Sequence, residues 1–284
     1  MRHGTAWDSG GGDSQYGGGP SLALPRLTFV TKRLLIANAA VFLATFVLYL
    51  AGASQLVFEV FGLCTRVWID WFPFVPLWQV GSYAFLHSVR DPGHIFWNLL
   101  LLYFFGTMLE SMLGARRFLV TYAAALSCGA FLHLVMDTAL GASPVPTLGA
   151  SGAVLGVVVA AATLRPRTQV LVLFIPVRLW VLAAVIVGLD VFALLVGLKE
   201  GAGDGVAHWV HLGGAAWGFT AARTGWIWSD PIELLRVRRA AACRRRERSD
   251  RERMDGLLAK IHREGMSSLS RSERQFLKRV SGRG

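Results

Sequence analysis

Between residues 32 and 223 the chain alternates long apolar runs with short polar joints. A bilayer span needs about 20 mostly apolar residues, with about 17 as a lower bound. Stretches near residues 34–50, 94–113, 118–140, 148–164, 179–198 and 206–222 meet that requirement. The pattern predicts six transmembrane helices. A long aromatic loop between the first two carries Phe58, Phe61, Trp68, Trp71, Phe72, Phe74 and Trp78 beside Glu59, Arg66, Asp70, Pro73 and Pro76. That mixture fits a partly helical segment lying at the interface better than a span. Residues 170–177 are apolar but short, and are expected to form a hydrophobic connector at the membrane surface.

Composition agrees with a membrane chain. Of 284 residues, 54% are hydrophobic and 17% charged, too greasy for a soluble globule of this size. The formal net charge of +11 is concentrated in the last sixty or so residues. Basic clusters beside spans report orientation or contact with anionic lipid, so no nucleic-acid partner is expected. Cys64, Cys128 and Cys243 form no regular set, and no disulfide framework is expected. Residues 1–20 are Gly-rich and read as part of a disordered leader rather than a signal peptide. The resulting division is a leader at 1–31, a membrane domain at 32–223 and a basic tail at 224–284.

Charge also sets a direction. Lys32, Arg33, Arg116, Arg117, Arg165, Arg167, Arg178 and Arg223 all fall on one side of a six-span path. The other side has Arg66, Arg90 and Lys199, offset by Glu59, Asp70, Asp91, Glu200 and Asp204. The positive-inside rule then puts both termini in the cytoplasm of a multi-pass protein, with a bacterial cytoplasmic membrane as the expected location.

In this arrangement the second, fourth and sixth spans enter from the outer face, and each carries polar residues near its entry. They are His94-x-x-x-Asn98, Gly149-Ala-Ser151-Gly152, and His208 with His211-Leu-Gly-Gly214. Polar groups are costly in a bilayer and face a bundle interior or a cavity. His94 and Asn98 are four residues apart and share a helix face, from which both could donate to a common point. Pro144 and Pro146 keep the preceding chain non-helical, so the fourth helix is expected to start near Leu148. Ser151 then lies near a first turn, whose free N–H groups suit a developing oxyanion. Gly152 with Gly156, and Gly214 with Gly218, make two G-x-x-x-G steps that let membrane helices approach closely. Such packing would bring Ser151 and His211 together as nucleophile and base.

These motifs resemble those of the rhomboid family, as do the run from Trp78 to His87 and the Gly106-x-x-x-Glu110 that ends the second span. The resemblance covers nearly all of the membrane domain. It implies an all-α membrane protein, a six-transmembrane-helix rhomboid-like bundle with a short helical cytoplasmic tail. The implied activity is that of an intramembrane serine endopeptidase, cutting single-pass or other transmembrane substrates near the outer face. Ser151 and His211 would form a dyad with no acidic third member, and His94, Asn98 and the Ser151 backbone N–H would hold the oxyanion. Where the family commonly has an aromatic residue four positions after the serine, this chain has Leu155. No cofactor and no metal site is expected. The competing reading is a catalytically silent, client-binding relative.

Other polar residues read as structural. His87 is expected to order the loop before His94, and His133 to be a satisfied interior histidine. Glu110 is expected to pair with Arg116 or Arg117. His208 is a competing base, and Asp190, inside the fifth span, has no evident partner. In the tail, Leu257, Leu258 and Ile261 form an apolar face, Gly265 breaks it, and Ser270 with Glu273 makes a capping box ahead of Phe276, Leu277 and Val280. Two short amphipathic helices are expected there, with the membrane domain or a cytoplasmic partner as their contact.

Overall fold

A computed structural model of the chain describes residues 25–172, 175–200 and 206–281. Most of the expected leader therefore lies outside the described residues. The chain divides into two compact units between Ile227 and Trp228.

In the first unit, α1 spans Phe29–Leu50. The aromatic loop holds three short helices, α2 (Ser54–Phe61), α3 (Thr65–Asp70) and α4 (Gln79–Ser82). Helix α5 (Pro92–Leu101) runs through a π-helical stretch, Leu102–Gly106, into α6 (Thr107–Leu113). Then come α7 (Ala115–Leu140), α8 (Ser151–Leu164), an antiparallel hairpin of β1 (Gln169–Val172) and β2 (Ile175–Arg178), α9 (Leu179–Glu200) and α10 (His208–Thr224). Gln169 pairs with Arg178 and Val172 with Ile175, so the expected connector is a β-hairpin.

Among the described residues, four helical stretches are long and apolar enough to cross a membrane: Phe29–Leu50, Pro92–Leu113, Ala115–Leu140 and Leu179–Glu200. The other two expected spans are shorter. α8 has 14 residues, about 21 Å at 1.5 Å per residue. It starts at Ser151 rather than near Leu148, because Gly149 takes a left-handed φ of +121° while its N–H bonds the Tyr83 carbonyl at 2.9 Å. Residues Gly152–Val158 are all buried, so α8 is the inner helix of the unit. Non-helical chain leading into such a helix is tolerable because protein surrounds it: Leu63 and Thr147 exchange backbone hydrogen bonds of 3.0 and 2.8 Å.

The helical start at Phe29 overlaps the expected leader, and Glu110 explains the overlap. Its carboxylate accepts from the Val30 and Thr31 amides at 2.9 and 2.8 Å and from the Thr28 and Thr31 hydroxyls. A distant acid thus satisfies the orphan donors of a helix start. This is a role for Glu110 that the expected pairing with Arg116 or Arg117 did not include.

The second unit contains α11 (Pro231–Glu264) and α12 (Arg271–Ser281). α11 has 34 residues and is far from short. Asp230 accepts from the Glu233 amide at its start, and Gly265 at φ +81° ends it. The capping box forms as expected: the Glu273 amide donates to Ser270 Oγ at 3.2 Å and the Ser270 amide to Glu273 Oε2 at 2.7 Å. Leu257, Leu269 and Phe276 make a small core with Ile261 and Leu277 at its edge. The side chain of Val280 lies outside the described residues.

Candidate active site

Glycine contacts fix how α8 and α10 cross. A Cβ built on Gly214 would collide with the carbonyl oxygen of Gly152, and one on Gly218 with that of Gly156. From the other side, a Cβ on Gly152 would lie 2.7 Å from the Val210 carbonyl oxygen, and one on Gly156 2.8 Å from that of Gly214. The two glycine steps therefore face each other, backbone on backbone.

That closeness brings the functional side chains together. Ser151 Oγ lies 2.7 Å from His211 Nε2, across a sequence separation of 60 residues. Both residues are half-buried. Ser151 opens α8, so the first amides of that helix, its own included, lack intrahelical acceptors. Leu155, one turn on, is buried.

His94 reaches the same place from α5. A point one Cβ away from Gly149 is 3.1 Å from His94 Nε2 and 3.7 Å from Ser151 Oγ, so imidazole and hydroxyl flank one small space. The N-terminus of α5 is held by Asp91, whose carboxylate accepts from the His94 amide at 3.3 Å. Asn98 is buried on the same face, but its Nδ2 donates to the His94 carbonyl at 2.9 Å. The His94 ring therefore lies beside Ser151, while this amide N–H of Asn98 turns back along its helix.

His87 is fully buried with its ring centroid 5.4 Å from that of His94, edge to face. It backs the ring of His94, a position in keeping with an ordering role. Burial pushes its imidazole down to about 4, His94 adds to the effect, and the Phe85 backbone opposes it. His133 pairs with the Thr147 hydroxyl at 3.0 Å through Nε2, tying α7 to the segment before Ser151.

Asp190 is the residue that sequence reasoning left without a role. Its Oδ1 lies 2.7 Å from His211 Nδ1 and 2.7 Å from His208 Nδ1. The resemblance implied a dyad with no acidic third member, and the structure sets a carboxylate beside its histidine. His208, the competing base, meets Asp190 through Nδ1, and the nitrogen that meets Ser151 belongs to His211. An ionisable residue inside an apolar span was the available signal, but nothing local told where it pointed. Among the described residues, Asp190, His208 and His211 are also the group that could hold a metal ion, with one ligand atom from each all within 4.8 Å of one another.

An oriented serine–histidine pair beside a free helix start is equipped for acyl transfer. Comparison with known proteins agrees on lineage. The rhomboid domain model matches residues 76–228, more than half of the chain. The chain belongs to the rhomboid family. All the residues described above as converging on Ser151 lie within that rhomboid match. A family of unknown function, DUF6576, matches residues 244–283. RHOMBOID-like protein 12, mitochondrial, of Arabidopsis thaliana is 32% identical over 201 residues, 66% of this chain and 55% of that protein. Rhomboid protein 1, mitochondrial, of Saccharomyces cerevisiae is 34% identical over 167 residues, 58% of this chain and 46% of that protein. Presenilin-associated rhomboid-like protein, mitochondrial, of Rattus norvegicus is 29% identical over 149 residues, 51% of this chain and 38% of that protein. The chain spans about half the length, or less, of these rhomboid relatives.

Proposed function

We propose that this rhomboid is an intramembrane serine endopeptidase acting on transmembrane proteins near the outer membrane face. The observation that carries the reading is the 2.7 Å contact between Ser151 Oγ and His211 Nε2 at the start of α8. In the proposed first step, the Ser151 oxygen bonds to the scissile carbonyl carbon and the carbonyl π electrons move to its oxygen. The hydroxyl proton passes to His211 Nε2. The first amide of α8 and His94 stabilise the oxyanion, with Asn98 joining them if its amide swings from the His94 carbonyl. Collapse expels the amine, which takes the proton from His211, and water then hydrolyses the acyl-enzyme by the same route.

The remaining features belong to the same proposal. Six membrane crossings would let α8 cross as an inner helix, shielded by its neighbours. The exposed side chains of Phe72, Phe74 and Leu77 would meet lipid. The basic side of the chain, with both termini, would face the cytoplasm or its equivalent. The relatives named above are mitochondrial, so they lend no support to the bacterial cytoplasmic membrane expected from charge. Substrates would be transmembrane segments able to unwind, because a helical backbone hides its carbonyls from a nucleophile. The tail would contact a cytoplasmic partner or the lipid surface.

Reconstituted protein should cleave a model transmembrane substrate, and Ser151→Ala should abolish cleavage. A fluorophosphonate should label Ser151, and His211→Ala should prevent the labelling. Absence of both cleavage and labelling in well-folded wild-type protein would leave only a client-binding role.

A further inference from the structure

We infer that Asp190 is a positioning residue for His211, making the site a three-membered relay whose acid is held in turn by His208; this rests on the protease reading above. The geometry begins with α9. Leu179, Ala183 and Asp190 are the buried residues of a helix whose other side chains are exposed or half-buried. A carboxylate on the inward stripe of so apolar a helix needs partners, and it has two. Both His208 Nδ1 and His211 Nδ1 lie 2.7 Å from the same oxygen.

Hydrogen-bond chemistry then decides the tautomer. A carboxylate only accepts, so each neutral imidazole must present Nδ1–H to Asp190. With its proton on Nδ1, His211 has a lone pair at Nε2, the nitrogen that faces Ser151 Oγ. That is the form able to take the serine proton. Once the proton has moved, the imidazolium remains beside the carboxylate. His208 keeps Asp190 Oδ1 fixed by a second donor, so the acid cannot turn away. An amide oxygen in the same place can still accept from both histidines, but it carries no negative charge to stabilise the imidazolium. Turned to present its NH₂ there instead, it would force the rings it meets into the opposite tautomer, with no lone pair at His211 Nε2.

The test uses full-length protein purified in one detergent, with a model transmembrane substrate and a fluorophosphonate. Asp190→Asn should lower kcat and the Ser151 labelling rate by about 10²- to 10⁴-fold, with KM changed less than about threefold. Asp190→Glu should recover at least about tenfold over the asparagine variant by restoring an acceptor-only group. His208→Gln, which keeps a donor, should cost less than about tenfold. If Asp190→Asn fails to fold, replacing Asp190 and His208 together by leucine removes both buried polar groups, and the same loss of kcat is expected. A merely structural aspartate would instead lower the denaturation midpoint, and glutamate would do no better than asparagine. Retention of kcat within about threefold in Asp190→Asn, or a His208→Gln loss equal to that of Asp190→Asn, overturns the assignment. Silent wild-type protein would count against the protease reading itself, a separate outcome.

Discussion

Gly214→Ala is the sharpest perturbation of the α8–α10 crossing. The added methyl would meet the Gly152 carbonyl oxygen well inside the 3.0 Å that real Cβ contacts respect. Neither atom belongs to a flexible side chain, so no rotamer change relieves the overlap. The helices must separate, and in a close-packed interface the shift is about 1 Å. His211 sits one turn before Gly214, and Ser151 adjoins Gly152, so separating the helices would draw Oγ and Nε2 apart. Their 2.7 Å contact would stretch beyond the range at which a hydrogen bond survives, about 3.2 Å for N and O. A misplacement of that size costs about 10²-fold in rate, and overpacking costs about 1–3 kcal/mol in stability. The assay is the rate of fluorophosphonate labelling at Ser151, read beside the denaturation midpoint in the same detergent. Gly188→Ala on α9 is the matched control: its Cβ meets nothing within 4 Å, and helix propensity favours alanine by about 0.5–1 kcal/mol. Gly214→Ala labelling as fast as Gly188→Ala, with an unchanged midpoint, would refute the claim that this crossing sets the pair.

Glu110→Ala leaves two amides and two hydroxyls at the start of α1 without their acceptor, and should cost about 2–4 kcal/mol. Chemical denaturation checks this, and a loss under about 1 kcal/mol would contradict it. Gly149→Ala would place a methyl 2.8 Å from His94 Cε1 at a φ of +121° that side chains avoid, so cleavage should fall at least about tenfold. Unchanged kcat would remove His94 from the oxyanion site. For His87, the folded imidazole is held down at about 4 while the unfolded one titrates near 6.5. The unfolded chain therefore binds more protons between those values. Stability should be full above about pH 6.5 and decline toward pH 4, by at most about 1.4 kcal/mol per pH unit. His87→Phe should flatten that decline in melts across the range, and an equally steep decline in the variant would exclude His87 as its source.

Local spacing made much of this site readable before any coordinates. A histidine and an asparagine four apart, a serine after two prolines, and glycines in steps of four each carry their geometry in the sequence. The two glycine steps even name their partners, because only another glycine-lined backbone lets a helix come so near. The start of α8 was placed three residues early for an equally local reason. Pro144 and Pro146 signal where helix is barred, but not that Gly149 would spend a left-handed φ to reach the Tyr83 carbonyl.

What stayed hidden was every polar contact whose two ends lie on different elements without a shared period. Glu110 reaches back about 80 residues to α1, and nothing near it in sequence says so. The nearby Arg116 and Arg117 drew the expectation toward a local pairing and away from that helix start. Asp190 is the same case with larger consequences. Its distance from His211 is 21 residues, crossed by an inter-helix loop, and its helix is apolar all round. Hydrophobic periodicity therefore cannot say which way the carboxylate faces. The cost of a charge in hydrocarbon says only that it must face something polar. Two donors on α10, one turn apart, answer that demand from a single helix face, and the one nearer the crossing is the one that also touches Ser151. Both histidines turn Nδ1 toward the acid, and what singles out His211 is its Nε2, 2.7 Å from Ser151 Oγ.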